Sequence, residues 1–213
     1  MINTIITYDN TDYSLGNYFN SGFLYIDALK HQSKASITGI DSKGCFESTI
    51  NKIIPTFNQQ NFVFVGLSHG SDDGMSLLGG DNYINVNNSN LFKNSFFYST
   101  SCHVGRQLGN ILLANGCRCF IGYTDIAQAP ISGDFVDIFI ECESHALKNF
   151  FLSTKSIGVL FGEMKSFIDA KFLEIASGPN IIAAMALLDN KNCMVLIGDD
   201  DSKLLTSLDF DLI

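Results

Sequence analysis

The chain has 213 residues, of which 46% are hydrophobic, 12% aromatic and only 16% charged, a balance that excludes intrinsic disorder along most of its length. Thirteen Lys and Arg face 22 Asp and Glu, for a formal net charge of −9. That sign speaks against nucleic acid and an anionic membrane surface as partners, because both need a cationic face. The length suits one domain over 1–213, and the absence of Trp beside 18 Phe predicts an aliphatic, phenylalanine-rich core. Met1 to Asp9 has neither a positive n-region nor a long apolar stretch and does not read as a signal peptide. The longest apolar run, 181–188, falls well short of the roughly 20 residues of a membrane helix, so no membrane span is expected. Cysteines at 45, 102, 117, 119, 142 and 193 are then expected to be reduced thiols in a cytoplasm, most of them small buried hydrophobes.

In chain order, residues 2–8 read as a strand ending in the polar cluster Asp9-Asn-Thr-Asp12. Helical spacing follows over 21–31, then a short strand at 35–40. Phe46, Ile50, Ile53 and Ile54 mark a helix that Pro55 closes. The run 61–68, Asn-Phe-Val-Phe-Val-Gly-Leu-Ser, is apolar nearly throughout, as a strand buried on both faces of a parallel sheet should be. Loops with a small hairpin around 75–78 occupy 69–90, and 95–100 is a further strand. Leu108, Ile111, Leu112 and Leu113 predict a helix stopped at Asn115-Gly116. A strand at 117–123, a loop at 124–132, helices at about 134–150 and 156–176, and a last strand at 193–198 before the acidic turn 199–201 complete the reading. Repeated strand–helix alternation implies an α/β layer structure with a mainly parallel sheet flanked by helices.

In such a sheet ligands bind beyond the carboxyl ends of the strands. The strand at 61–68 runs into His69-Gly70, and the strand at 95–100 into Ser101-Cys102. Were the two strands neighbours, a histidine and a cysteine would project from one edge, and imidazole could take the thiol's proton. A helix beginning near His103 would favour a thiolate at its N-terminus. Gly70 would let substrate approach the backbone, its N–H and that of Cys102 forming an oxyanion hole.

The order of apolar block, His-Gly, spacer, apolar block, small residue and Cys resembles the caspase-like cysteine peptidases of clan CD. Here it reads Phe62-Val-Phe-Val-Gly-Leu-Ser-His69-Gly70, then Ser95-Phe-Phe-Tyr-Ser-Thr-Ser-Cys102, with Cys102 33 residues after His69. Residues 108–123, a helix, an Asn-Gly turn and an Ile-Gly strand, resemble the segment after the nucleophile in the clostripain, gingipain and CHAT branches. Residues 194–205 resemble the closing Gly-Asp-Pro segment of those branches, with Asp200 where Pro is usual.

The resemblance implies a caspase-like three-layer sandwich and a cysteine endopeptidase acting on a protein substrate, with Cys102 as nucleophile and His69 as general acid/base. It implies a dyad, so no third residue is named, and it calls for no metal or other cofactor. In clostripain-like enzymes that select basic residues, an Asp stands two positions before the nucleophile; here that position is Thr100, which puts such a preference in doubt. Asp9, Asp12, Tyr123, Thr124 and Asp125 are the other candidates for a specificity pocket. The resemblance also implies control by a regulatory or activating protein, by loop ordering or by self-cleavage in 70–94 or 123–133, and a bacterial source with a role in defence or cell death. Two alternatives remain open: a catalytically silent module that binds a partner, and a hydrolase or transferase using Cys102 on a non-peptide substrate.

The remaining candidates read more plainly. His103 is a rival base, while His31 and His145 read as surface or packing residues. Cys117-x-Cys119, placed on one strand face, with Cys142 and His145 could suggest zinc, but core packing is favoured over that spacing. Asp199-Asp200-Asp201 reads as a solvated turn rather than a calcium loop. Asp72-Asp73 either supports His69 or caps a turn.

Overall fold

A strand that is apolar at every position must be covered on both sides, and the alternation of side chains decides what covers it. In the computed structural model, which describes residues 1–130, 133 and 135–211, the strands are β1 (Ile2–Tyr8), β2 (Ala35–Ile40), β3 (Phe62–Leu67), β4 (His69–Gly70), β5 (Gly74–Ser76), β6 (Asn82–Asn85), β7 (Ser95–Ser99), β8 (Cys119–Tyr123) and β9 (Met194–Ile197). The helices are α1 (Gly16–Asp27), α2 (Glu47–Ile53), α3 (Leu108–Ala114), α4 (Val136–Leu152), α5 (Ile157–Ala176), α6 (Ile181–Cys193) and α7 (Asp200–Leu204). Six strands form one sheet in the order β2-β1-β3-β7-β8-β9, and only β9, at its edge, runs antiparallel to its neighbour.

Each face of this sheet has its own core. Val63, Val65 and Leu67 of β3, Phe96 and Tyr98 of β7, and Cys119, Ile121 and Tyr123 of β8 point to one side. There they meet Tyr18 and Phe19 of α1, Phe139, Leu147 and Phe150 of α4, Leu160 and Met164 of α5, and Leu187 of α6. The alternate residues Phe62, Phe64, Phe97 and Phe120 point to the other side, against Ile50 of α2, Leu108 and Leu112 of α3, and Met75 and Ile84 of the small sheet. The result is a mainly parallel sheet between two layers, as the strand–helix alternation predicts. The phenylalanine-rich core takes a definite form. Phe97 packs on Phe64, Phe92 and Phe120 at ring-centroid distances of 4.7, 5.1 and 5.7 Å. Across the sheet Phe150 packs on Phe96 at 5.1 Å and Phe210 at 5.4 Å. Among the described residues no helix is long and apolar enough to cross a membrane.

Several elements depart from the sequence reading. α1 begins earlier than the expected 21–31, because Asp12 caps the turn that opens it, accepting from the N–H groups of Ser14 and Leu15 at 2.5 and 2.8 Å. The expected hairpin at 75–78 is instead a three-stranded antiparallel sheet, β4-β5-β6. The run 181–188, weighed only as a membrane candidate, is most of α6. The acidic turn 199–201 opens α7, where Asp199 accepts from the N–H of Ser202 at 2.7 Å and Asp200 pairs with Lys203 at 3.4 Å. Cys117 precedes β8 and packs in the layer opposite Cys119, so the two thiols do not share a face. His145 stacks on Phe167 at 4.3 Å, and His31 is exposed. All six cysteines are free thiols. Positions 131, 132 and 134, which fall in the expected 124–132 loop, the 123–133 cleavage segment and the start of the 134–150 helix, lie outside the described residues, as do 212 and 213.

Phe97 is fully buried at the centre of the four-ring cluster. Phe97→Ala is expected to cost about 3–5 kcal/mol, read as a shift of the urea midpoint at unchanged slope.

Candidate active site

β3 and β7 are adjacent and parallel, with Phe62 opposite Ser95 and Gly66 opposite Ser99, so the chain leaves both strands at one edge of the sheet. Past that edge His69 and Gly70 form β4, while residues 101–107 make a run of turns rather than a helix. α3 starts only at Leu108, which corrects the expectation that a helix N-terminus supports the Cys102 sulfur. The turn is tight: the Cys102 carbonyl accepts from the N–H of Val104 at 2.8 Å, and His103 takes the left-handed φ of 64°.

Gly70 is required by close approach. A Cβ there would lie 2.5 Å from the Cys102 carbonyl oxygen and 2.8 Å from both Ser101 Cβ and Val104 Cγ1. The bare side of this glycine therefore faces the turn that carries Cys102, not an arriving substrate, as the sequence suggested. The His-Gly pair is in effect a spacer that sets the distance between two loops.

His69 is held by a residue the dyad reading left in the wrong role. Its Nε2 lies 2.5 Å from Asp12 Oδ2. The other oxygen of Asp12 accepts from Ser14 N, Ser14 Oγ and Leu15 N. Burial works to raise this carboxyl, but the hydrogen bonds from His69, Leu15 and Ser14 outweigh it and hold the group well below the usual carboxylate range. Asp12 is thus a permanent anion fixing the imidazole with Nε2 as donor. The histidine's Nδ1 makes no hydrogen bond among the described residues and is the nitrogen left to exchange a proton. The edge of the ring also rests on Phe19, at a centroid distance of 5.7 Å. Asp12 thus positions the histidine rather than selecting a substrate side chain.

The other pocket candidates separate. Asp9 is 1% exposed, and its carboxylate is consumed by Thr11, Asp12 N–H, Ser42 and the Leu78 N–H, so it selects nothing. Asp9, Asp12 and His69 could bring ligand atoms within 4.8 Å of one another, but each carboxylate oxygen already accepts from protein N–H, O–H or imidazole groups. The trio reads as a hydrogen-bond network rather than a cation site. Asp125 and Thr124 lie outside the cleft, in a separate open hollow with Asp189 and Cys193. Asp125 faces His103 and Arg106, at 3.8 and 3.4 Å. That contact turns the rival base His103 toward Asp125. Asp72 pairs with Arg106 at 3.4 Å and Asp73 accepts from Ser71, so neither supports His69.

Cys102, His69 and Thr100 do line one cleft, a narrow one of about 30 Å³. Its wall is the 127–129 backbone. Ala127 N–H donates to the Cys102 sulfur at 3.3 Å, and Gln128 is clasped by Asn190, its N–H donating to Oδ1 and its carbonyl accepting from Nδ2, each at 2.7 Å. Burial pushes the Cys102 thiol above its ordinary value, against the pull of the Ala127 N–H, and Asp125 adds to the rise.

The cleft also holds a residue that the sequence reading missed. Glu143 of α4 is 6% exposed and reaches the cleft from the helical layer. Its backbone carbonyl accepts from the Tyr98 hydroxyl, and its carboxyl lies near the hydroxyl of Tyr18, which makes no well-formed hydrogen bond. Burial pushes this carboxyl up to about 8, with Tyr18 opposing. The signal was present in the pattern: Phe139, Glu143, Ala146 and Phe150 fall on the buried face of α4, with one acid among apolar residues. Tyr123 is buried close to this carboxyl but is not part of the cleft lining.

No protein-family model matches the chain, and no curated protein matches it.

A carboxyl raised by burial favours folding while protonated, and that contribution is lost as pH rises from the unfolded value through about 8. Glu143→Gln is therefore expected to match the parent in urea stability near pH 4.5 and exceed it at pH 8.5, by on the order of a few kcal/mol.

Proposed function

We propose that the chain is a cysteine endopeptidase that cuts a protein substrate through a thioester. The carrying observation is that Cys102 shares a cleft with a histidine whose Nε2 is locked by a buried carboxylate. Removal of the thiol proton to the free Nδ1 of His69 gives a thiolate that attacks the substrate carbonyl carbon. The oxygen of the tetrahedral intermediate is assigned to the N–H groups of Gly70 and Cys102. Imidazolium then returns its proton to the leaving amine as the C–N bond breaks, leaving the acyl group on sulfur. Water, deprotonated by the same nitrogen, hydrolyses the thioester and restores the thiol. Asp12 stabilises the imidazolium throughout by its fixed negative charge.

The resemblance to caspase-like peptidases supports this reading through the same two strand ends. The sheet order puts β3 and β7 side by side, which that pattern requires. Free thiols throughout fit a reducing compartment such as the cytoplasm. In the resting form the sulfur is bonded to Ala127 rather than to His69, and the cleft is nearly filled. Control would then act on the 127–129 segment, through a regulatory or activating partner. The same occlusion favours a second reading, a silent module whose cleft is a vestige and whose function is to bind a partner.

Incubation with a diverse peptide library, read by mass spectrometry, separates the two. The peptidase reading expects cleavage that Cys102→Ala abolishes with the fold intact by circular dichroism; equal cleavage patterns in both proteins would sink it. Asp12→Asn keeps the shape but removes the charge and can reverse the imidazole tautomer. It is expected to lower kcat by roughly 10² or more while leaving KM near the parent value.

A further inference from the structure

We infer that the face of α6 beside the cleft is the docking site of a partner protein, and that it takes an amphipathic segment with apolar side chains at one end and a lysine or arginine at the other. The inference holds for a peptidase and for a silent module alike, because it concerns the surface next to the cleft and not the reaction. α6 buries one side only. Ala184, Leu187 and Asn190 face inward, whereas Ile181, Ile182 and Met185 are 52, 84 and 45% exposed. Large apolar side chains grouped in this way on an open surface mark a contact face.

The patch borders a trough. Ile182 and Ala186 line a hollow of about 450 Å³ with Phe139 of α4, Ala129 and Pro130. Further along the helix, Asp189 and Cys193 line a second open hollow of about 500 Å³ with Asp125. Positions 182, 186, 189 and 193 are three or four apart, so they form one stripe on the helix and the two hollows lie end to end along it. Gln128 lines both.

Charge decides the occupant. The first hollow is apolar and uncharged, the second holds the carboxylates of Asp125 and Asp189, and neither lining contains a Lys or Arg. Asp189 accepts from the neutral side-chain amide of Gln128 at 3.0 Å, and Asp125 meets Arg106 and His103 only at 3.4 and 3.8 Å. An incoming ammonium or guanidinium would give Asp189 a charge-assisted bond stronger than the amide's. A second copy of the chain fits poorly, because each copy carries a net charge of −9. From Ile182 to Asp189 the helix rises about 10 Å, so a helical partner would carry its basic residue about two turns from its apolar anchor.

The trough and the Cys102 cleft share a wall. Gln128 and Ala129 line the cleft as well as the apolar hollow. Asn190 holds the Gln128 backbone and Asp189 holds its side chain. A cation that takes Asp189 displaces the Gln128 amide, so the partner binds better to the form in which that side chain has let go. Docking therefore loosens the wall that covers the sulfur and makes Cys102 more accessible.

The test pans a phage-displayed library of random peptides against the parent chain, with Ile182→Glu as counter-target. That side chain is exposed, so the variant is expected to fold, which circular dichroism checks. Enriched peptides are expected to combine apolar residues with a lysine or arginine about two helical turns away. Their synthetic forms should lose at least about tenfold in affinity on Ile182→Glu. Asp189→Asn keeps an acceptor for Gln128 and removes only the charge; it should cost several-fold and flatten the salt dependence of binding. At saturation the peptide should speed iodoacetamide alkylation of Cys102, followed by peptide mapping, by at least about threefold. The partner assignment is overturned if no enriched peptide depends on Ile182, if acidic residues replace the basic one, or if Asp189→Asn leaves affinity unmoved. A dimer of the parent in sedimentation that Ile182→Glu dissolves overturns it too, since a second copy would then cover the face. Binding that leaves Cys102 alkylation unchanged or slower overturns the link to the cleft.

Discussion

The site depends on one contact, the bare face of Gly70 against the carbonyl of Cys102. No side chain fits there, because a Cβ would come within 2.5 Å of that backbone oxygen. The contact ties two loops that the parallel pairing of β3 with β7 has already brought to one edge. Pairing alone sets the strands about 5 Å apart, and the glycine closes the remaining distance between the loops beyond them. The candidate thiol and imidazole both hang from these two loops. His69 is the neighbour of the glycine, and Cys102 is the residue whose carbonyl it touches.

Around that contact three buried carboxyls are told apart by the donors that reach them. Asp12 is surrounded by donors, and they hold its carboxyl well below the usual carboxylate range. Glu143, a short way along the same cleft, has almost no donors and is raised by burial. Two carboxyls of similar intrinsic acidity are driven apart by their surroundings, so that one orients an imidazole as an anion while the other is raised toward its neutral form. Asp9 shows the third outcome, a carboxylate saturated by its own loop and left with no chemistry to do. Location near the end of β1 could not distinguish Asp9 from Asp12. Which of them faces the histidine is decided by how the 9–15 turn closes, and that turn is set by the helix it caps.

The 127–129 backbone closes the cleft over the sulfur. It supplies the hydrogen bond to the sulfur that His69 does not, while burial of the sulfur beneath it holds the thiol above its ordinary value. Asn190 holds the Gln128 backbone by two hydrogen bonds, Asp189 holds the Gln128 side chain, and Ala127 and Ala129 rest on the core.

Much of the architecture was legible along the chain. The continuous apolar runs at 61–68 and 95–100 are buried central strands. His69 and Cys102 follow those strands directly, so their juxtaposition needed only that the strands be neighbours. Local chemistry determined these features, because a strand apolar on both faces has one environment available to it. The sequence could not supply what depends on contacts between distant segments. Asp12 meets a histidine 57 positions away, and Glu143 reaches the cleft from a helix beyond it. Asp125 turns to Arg106 instead of to the substrate side. The helix expected at His103 gave way to turns because Gly70 and the backbone of 123–125 hold residues 102–105 in place. Periodicity reports which face of an element is buried, but it carries no information about which polar group of another element is buried against it. Only the closed tertiary structure decides that.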